Sequence, residues 1–294
     1  MIEMIMKKII FFVAAIAALV VTSCSKDNVA SDNGVKYVTE FTVDFENSTR
    51  VSASYVTGSG LDFMFNDNDL VHVWNAATGV RHTSYRYNSA TGKFKVADSQ
   101  PAMEVDGKYF ITFNCNTYDS TPKIVDGKLT VKWYYTQPYG RIADLPLFSD
   151  VFTADANGTL VTMHHVYGML EIPVTVAEGK TVSVVSVKSS EIIEGNPYMQ
   201  LTFDADGLVE NADIVCLNIQ STGNFKPLTS GISNIPANTY LFPFPPRTYS
   251  TVTIGYRIEG VDGTKTITIS DLSLKVERGK IHKRATPIAL PPVE

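Results

Sequence analysis

The sequence predicts an all-β protein in which two tandem antiparallel β-sandwich domains follow an export signal. Beyond residue 34, apolar and polar residues alternate in short segments, and there is almost no helical periodicity. Glycine, asparagine, aspartate and proline separate the segments at spacings typical of a sandwich or barrel. Five dipeptides favour antiparallel hairpins, because they tolerate the positive φ of tight turns: Asp106-Gly107, Asp126-Gly127, Asn157-Gly158, Asp206-Gly207 and Asp262-Gly263.

Residues 1–23 are predicted to be a lipoprotein signal peptide. Lys7 and Lys8 precede an apolar run over residues 9–21, which is too short to span a bilayer comfortably. The run leads into Cys24 at a junction that resembles the bacterial lipobox, in which the cysteine is acylated and becomes the first mature residue. Two acyl chains anchor a protein stably, since each buried methylene adds about 0.8 kcal/mol. The alternative is an uncleaved helical anchor that ends at Cys24.

The segment that follows, residues 24–34, is polar and predicts a flexible linker next to the lipid.

Predicted strands then cover residues 37–45, 70–74, 109–114, 129–135, 159–165, 169–176, 181–189, 251–258 and 264–269. A charged glycine turn at residues 177–180 suggests a boundary, so we predict an N-terminal domain over 35–178 and a C-terminal domain over 179–294. Residues 191–238 are less periodic and predict loops mixed with short strands.

The charge and the cysteines limit the possible partners. The whole chain has 25 basic and 30 acidic residues, and removal of Glu3, Lys7 and Lys8 with the signal leaves 23 and 29, a net charge of −6. No basic cluster is present, which argues against nucleic acid and anionic lipid as partners.

Cys115 and Cys216 could form a disulfide after export, but their placement in different predicted domains favours two buried thiols.

No catalytic, cofactor-binding or metal-binding residue is predicted, and the chain is expected not to be an enzyme. Residues 155–158 and 204–207 begin like calcium loops but lack the later ligands, so they are interpreted as turns. His164 and His165 are adjacent in a predicted strand and therefore project to opposite faces. A surface hydrolase is the least favoured hypothesis, because no nucleophile motif or phosphate loop was found.

Aromatic residues support a second hypothesis, a glycan-binding surface lipoprotein. Trp133, Tyr134 and Tyr135 lie together in one predicted strand, and Tyr85, Tyr87 and Tyr139 are further candidates. Exposed rings could stack on sugars, although packing in the core or on the sheet surface is favoured.

Several short motifs, in their order along the chain, resemble the fimbrillin-like lipoproteins of Bacteroides-type bacteria. The motifs are the lipobox, Thr49-Arg50, and the segments at residues 65–74, 146–148, 161–170, 240–243 and 274–280. The resemblance covers most of the mature chain. It implies two transthyretin-like, Greek-key β-sandwich domains and a lipid-anchored location on the outer membrane, with assembly into surface fimbriae.

The resemblance also implies a mechanism of assembly. In polymerising members a trypsin-like protease cuts after an arginine near the first strand, and the strand of a neighbouring subunit takes the vacated place. Arg50 is the matching residue here, although it could equally be a solvated loop arginine. The displaced strand would be residues 37–45, with Tyr37, Thr39, Phe41, Val43 and Phe45 on one face. The expected partners are other fimbrial subunits, a membrane through the lipid on Cys24, and a host or bacterial surface ligand.

The C-terminal tail is a second segment that could take part in strand exchange. Residues 281–290 alternate in polarity, but Pro287 interrupts them. Because proline lacks the donor of a ladder hydrogen bond, the tail could be either the last edge strand or a detachable donor strand.

Overall fold

The computed structural model describes residues 29–32, 34–45, 65–114, 122–134, 145–176, 180–189, 196–203, 207, 209–217, 227, 237–270, 273–283 and 286–290. Within these ranges all regular structure is β-strand, as predicted. The described residues include no helix with the length and apolar character needed to cross a membrane. The predicted signal peptide, Cys24, Arg50 and Cys115 lie outside the described residues.

The strands, numbered along the chain, are β1 (Val29–Asp32), β2 (Val35–Val38), β3 (Glu40–Phe45), β4 (Leu70–Asn75), β5 (Arg81–Asn88), β6 (Lys93–Val96), β7 (Met103–Glu104), β8 (Lys108–Phe113), β9 (Lys123–Val125), β10 (Lys128–Tyr134), β11 (Leu147–Ser149), β12 (Phe152–Thr153), β13 (Leu160–His165), β14 (Gly168–Thr175), β15 (Val182–Lys188), β16 (Asn196–Phe203), β17 (Val209–Leu217), β18 (Thr239–Phe244), β19 (Arg247–Tyr249), β20 (Val252–Ile258), β21 (Lys265–Ile269), β22 (Leu274–Val276), β23 (Ile281–Lys283) and β24 (Ile288–Ala289).

The largest sheet closes on itself as a barrel. Its strand order is β11-β13-β3-β6-β5-β4-β8-β12, and the ring is completed because β11 also pairs with β8. The first half of the chain thus forms a barrel-like sheet where an open sandwich was expected. Closure gives each strand in the ring a neighbouring strand on both sides, which an open sheet cannot do at its edges.

The remaining strands form smaller sheets. Their orders are β1-β2-β7, β17-β16-β10-β9, β18-β14-β23 with β24 also on β14, β15-β20-β21, and β19-β22. Pairing is antiparallel except where β3 meets β13 and where β14 meets β23 and β24. The prediction of purely antiparallel pairing was therefore incomplete. These parallel neighbours lie more than a hundred residues apart in the sequence, so the hairpin signals could not reveal them.

Aromatic side chains fill the barrel and cover its outer wall. Inside, the Phe41 ring stacks on Phe94 at 5.3 Å and meets Tyr85 edge-on at 5.0 Å. Outside, Phe203 of β16 meets Phe110 of β8 edge-on at 5.0 Å, which packs the β16 sheet against the barrel. Such pairs add about 0.5 to 1.5 kcal/mol to the burial of the rings themselves. The barrel and the sheet beside it therefore share one apolar core.

Strand pairing crosses the predicted domain boundary at 178/179 in both directions. β14 precedes that position but pairs with β18, β23 and β24, whereas β16 follows it but pairs with β10. The division into two sandwich domains stays a prediction.

Two local predictions are corrected. Residues 29–32 of the predicted linker form β1, which pairs with β2 around Gly34 at φ +83°. The Asn33-Gly34 dipeptide is a strong hairpin signal that outweighs the polar composition. Residues 191–238 contain the long strands β16 and β17, which the sequence did not indicate.

The five Asx-Gly dipeptides all lie between strands, but their turns differ. Three connect strands that pair with each other: β9 with β10, β16 with β17, and β20 with β21. Asp106-Gly107 and Asn157-Gly158 join strands that pair elsewhere, so the expected hairpins are absent at these two positions. At the second of them, the Asn157 N–H donates to Asp155 Oδ1 at 2.8 Å, which is the hydrogen bond of an Asx turn.

Candidate strand-exchange site

The predicted displaced strand is two strands rather than one. β2 ends at Val38 and β3 begins at Glu40, because the chain leaves the small β1-β2-β7 sheet at Thr39 and enters the barrel. Val38 and Phe41 are fully buried, whereas Tyr37 and Thr39 are half-buried. The expectation of one alternating face from Tyr37 to Phe45 was therefore wrong on the β2 side of this bend.

Within β3 the alternation holds. Phe41 is buried in the barrel, and the half-buried Val43 and Phe45 pack against the same core. The Phe45 ring lies 5.7 Å from Phe65, which itself meets Phe94 edge-on. β3 therefore contributes its apolar side chains to the aromatic interior.

β3 has a strand on each side. It runs parallel to β13 through four residue pairs, from Thr42 opposite Leu160 to Phe45 opposite Met163. It runs antiparallel to β6 through only two pairs, and the Val96 N–H donates to the Thr39 carbonyl at 2.9 Å. Two ladders must break before β3 can leave, so it is an interior strand with a short antiparallel neighbour.

Charge reinforces the β3–β6 contact. Glu40 Oε1 lies 2.6 Å from Lys93 Nζ, and Glu40 Oε2 lies 3.8 Å from Lys95 Nζ. Glu40 and Lys93 are partly buried, which reduces solvent screening of the closer pair.

The hydroxyl of Tyr85 holds the bend before β3. It donates to the Val38 carbonyl and accepts the Met103 N–H at 3.0 Å, so it bridges β2 and β7. Burial raises the pKa of Tyr85, and the hydroxyl therefore stays protonated and able to donate. From the sequence, Tyr85 was predicted only as a candidate for stacking on sugars. No local sequence pattern indicated that its hydroxyl bridges β2 and β7.

The C-terminal tail, residues 281–290, pairs with the outer side of β14. β23 runs parallel to β14 from Ile281 opposite Met169 to Lys283 opposite Glu171. β24 continues with Ile288 opposite Val174, so five residues of the tail span what three residues span in β14. The register relative to β14 thus differs by two residues between β23 and β24, and Pro287 lies directly before β24, where a proline is compatible with an edge strand.

A buried ion pair joins the tail to β14. Glu171 is fully buried, and its Oε1 lies 3.1 Å from Lys283 Nζ. The Lys283 ammonium and the Glu171 carboxylate are close enough for a hydrogen bond but are not aligned for one, so the contact is an ion pair. Sequence analysis missed Glu171, although one acidic residue inside the apolar run of β14 was an available signal.

The turn before the tail brings together two of the motifs that carry the fimbrillin resemblance, those at residues 161–170 and 274–280. The Gly279 N–H donates to the Tyr167 carbonyl at 3.1 Å, and the Met169 N–H donates to the Lys280 carbonyl at 2.9 Å. A Cβ at Gly168 would lie 2.3 Å from the Glu277 carbonyl oxygen. The two backbone segments approach so closely at position 168 that only glycine, which has no Cβ, fits there without displacing its neighbour.

Ser84 and His72 form a serine–histidine contact in the barrel wall, a combination that can serve nucleophilic catalysis where the serine is exposed. Ser84 Oγ lies 3.0 Å from His72 Nδ1 and accepts a hydrogen bond from Arg81 at 2.6 Å. Burial, together with the Arg81 charge, lowers the pKa of His72 to about 4. Ser84 is buried, so the pair joins neighbouring strands and does not present a nucleophile to solvent.

The remaining candidates form no site in the part of the chain that the structure describes. The side chains of Trp133, Tyr134 and Tyr135 lie outside it, and so does the side chain of Cys216. His164 bonds Asp150 at 2.9 Å. No group of three or more histidine, cysteine, aspartate or glutamate side chains in the described ranges could hold a metal ion.

No protein-family model matches the sequence, and no curated protein matches it. Solved structures with a related chain path include three Bacteroides proteins assigned provisionally to cell adhesion. The protein from Bacteroides uniformis has a TM-score of 0.49 at 12% identity, over 86% of this chain and 93% of that one. The proteins from Bacteroides ovatus and Bacteroides fragilis have TM-scores of 0.46 and 0.39 at 12% and 11% identity. Their alignments cover 84% and 83% of this chain, and 91% of each of those chains.

Proposed function

We propose that this protein is a lipid-anchored subunit of a surface fimbria, either a structural subunit or the anchor, which assembles by strand exchange. The observation that carries the proposal is the place of β3 in the barrel. β3 fills the aromatic interior with Phe41, has only two paired residues on its β6 side, and ends five residues before Arg50 in the sequence. A cut after Arg50 would separate β1, β2 and β3 covalently from the rest of the barrel.

Departure of β3 would leave a strand-shaped gap. β13 and β6 would each present unpaired backbone groups, and the position of Phe41 would become an apolar cavity. An incoming strand with alternating apolar residues could restore both ladders and fill the cavity, which is the mode of recognition called β-augmentation. Because β3 is interior, the cut is required in this mechanism: an intact chain would keep β3 at a high effective concentration.

The same cut determines the attachment to the membrane. Cys24 precedes β1, so cleavage after Arg50 would release the body from its lipid, whereas an uncut copy would remain anchored in the outer membrane. The anchoring and structural versions of the proposal thus differ only in whether Arg50 is processed.

The test is incubation of the mature protein with a trypsin-like protease, followed by N-terminal sequencing and native mass spectrometry. We expect a new N-terminus at Val51 and the appearance of oligomers. The matched control is Arg50→Gln, which keeps Lys36 as an alternative tryptic position and should remain monomeric. Cleavage at Arg50 without oligomers would overturn strand exchange, and no cleavage would leave only the anchoring version.

A further inference from the structure

We propose that a cleft between the barrel and the β16 sheet is a binding site for an amphipathic monocarboxylate, and that its ligand is a free fatty acid. The cleft has a volume of about 550 Å³. Ligand sites in proteins typically measure about 300 to 1,000 Å³, so a fatty acid has room there. The cleft is separate from β3 and Arg50, and the inference therefore goes beyond the proposed function and does not depend on it.

Backbone contacts fix the two walls of the cleft at both ends. At one end, a Cβ at Gly79 would lie 2.9 Å from the Pro122 carbonyl oxygen, so the turn after β4 touches the segment before β9. At the other end, the Val151 N–H donates to the Gly207 carbonyl at 3.1 Å. The cleft lies between these contacts, since Val151, Gly207 and residues 76–77 all contribute to its lining. Its shape is thus set by the fold, which lowers the cost of ordering the site when a ligand binds.

The wall on the side of the β16 sheet is apolar. Ile124 of β9 lies directly opposite Leu129 of β10, so both side chains point to the same face. Phe203 of β16 is on that face too, because Leu201, two residues before it, lies opposite Val131. Ile124, Leu129 and Phe203 all line the cleft. Ile124 is 41% exposed, so this wall offers apolar surface that a hydrocarbon chain could cover.

The wall on the barrel side carries a cation. Phe110 of β8 faces the β16 sheet, since its ring meets Phe203 edge-on. Lys108 precedes Phe110 by two residues and therefore projects to the same side, together with Thr153, which lies opposite Lys108. Lys108 is exposed, and none of the ion pairs between described residues involves it. Its charge is therefore available to a ligand in the cleft.

The charges around the cleft favour a ligand with a single negative charge. Asp126 and Lys128, in the turn between β9 and β10, also line it and contribute one charge of each sign. Lys108 thus leaves a net charge of about one positive unit beside an apolar wall. A carboxylate could accept hydrogen bonds from the Lys108 ammonium and the Thr153 hydroxyl while its chain covers Ile124. A phosphate or a polyanion would leave the apolar wall uncovered.

The experiment titrates the uncleaved mature chain with decanoate, below its micelle concentration, by isothermal titration calorimetry. We expect one decanoate per chain, bound at least tenfold more tightly than butyrate, because each further buried methylene strengthens binding. Decan-1-ol, which lacks the charge, should bind about tenfold more weakly than decanoate. Lys108→Glu should reverse the preference for charge, so that decylamine binds more tightly than decanoate.

Two further variants test the position of the site. Lys265→Met removes an exposed lysine of β21, outside the cleft, and should leave the affinity for decanoate unchanged. Ile124→Asp places a carboxylate on the apolar wall and should abolish binding. Both Lys108 and Ile124 are exposed, so thermal unfolding should show that their variants remain folded. No binding by the wild type, equal affinities for decanoate and decan-1-ol, or an unchanged preference in Lys108→Glu would overturn the proposal.

Discussion

The hydroxyl of Tyr85 donates a hydrogen bond to the carbonyl oxygen of Val38 at the point where the chain turns into the barrel. The Tyr85 hydroxyl also accepts a hydrogen bond from the Met103 N–H, so this one buried side chain joins β2 to β7. The first strands are thus held by a side chain from the barrel as well as by ladder hydrogen bonds.

Tyr85→Phe should lower the free energy of unfolding by about 2 to 4 kcal/mol, because it leaves a buried carbonyl and a buried N–H without their partner. Denaturant unfolding measures the loss, and hydrogen exchange should accelerate at Met103. Tyr87→Phe is the control on the same strand, since Tyr87 is only half-buried, and its effect should stay within about 0.5 kcal/mol. Equal effects of the two substitutions would argue against the bridge.

Phe41→Ala should destabilise the barrel by about 3 to 5 kcal/mol, because it removes a ring that is fully buried and leaves a cavity. The matched control is Thr42→Ala on the same strand, whose hydroxyl makes only a long contact of 3.5 Å to the Thr159 carbonyl. That control should cost less than about 1 kcal/mol. A small effect of Phe41→Ala in denaturant unfolding would mean that β3 contributes little to the interior.

Gly168→Ala should destabilise the protein by about 1 to 3 kcal/mol or more, because the added Cβ would overlap the Glu277 carbonyl oxygen and lie 2.6 Å from Val276 Cγ1. Gly92→Asn is the control: Gly92 has φ +68°, which asparagine tolerates, and nothing lies within 4 Å of the added Cβ. Thermal unfolding should separate the two variants clearly. Wild-type stability of Gly168→Ala would show that the turn is not tightly packed there.

Stability should fall as the pH is lowered from about 6.5 to about 4, in part through His72. The unfolded chain binds a proton at its histidines near pH 6.5, whereas the pKa of His72 in the folded protein is about 4. The unfolded state therefore holds more protons in this window, and acid favours unfolding. His282, whose pKa is also lowered by burial, contributes in the same direction.

Urea unfolding at a series of pH values tests this dependence. His72→Gln should flatten the decline between pH 6.5 and pH 4, because glutamine does not titrate and can still bond the Ser84 hydroxyl. The slope that remains should include contributions from His282 and from Glu277, whose carboxyl pKa is lowered by the hydrogen bond from Lys280. An unchanged slope in His72→Gln would contradict the assignment.

The sequence predicted four of the seven strands in the barrel ring, β3, β4, β8 and β13, but not β5, β6 or β11, and it did not predict how the strands pair. Alternation identified β4 and β13 in the barrel, and β20 outside it, because each has one face more buried than the other, and this pattern is local. It could not show that β3 lies beside β13, since that pairing depends on side chains more than a hundred residues apart in the sequence. The long strands β16 and β17 were missed because prolines and polar residues on either side masked their periodicity.

In the candidate sites too, the sequence predicted features that depend on one strand and missed features that depend on contacts between distant segments. Phe41 was predicted from the pattern of its own strand, and the structure places it in the barrel interior. Glu171 and Tyr85 gain their importance from partners distant in sequence, Lys283 and Val38, which no local rule connects. The role of Arg50 came from resemblance alone and stays a prediction.

The closed ring also determines how another molecule could associate with the barrel through its backbone. In the ring completed by β11 between β13 and β8, each of the seven described ring strands already has a neighbour on both sides, so the ring itself has no edge strand. A strand from another molecule could therefore take a full place in the ring only if one of the ring strands left it. The closed ring thereby removes the exposed strand edges through which β-sheet proteins aggregate.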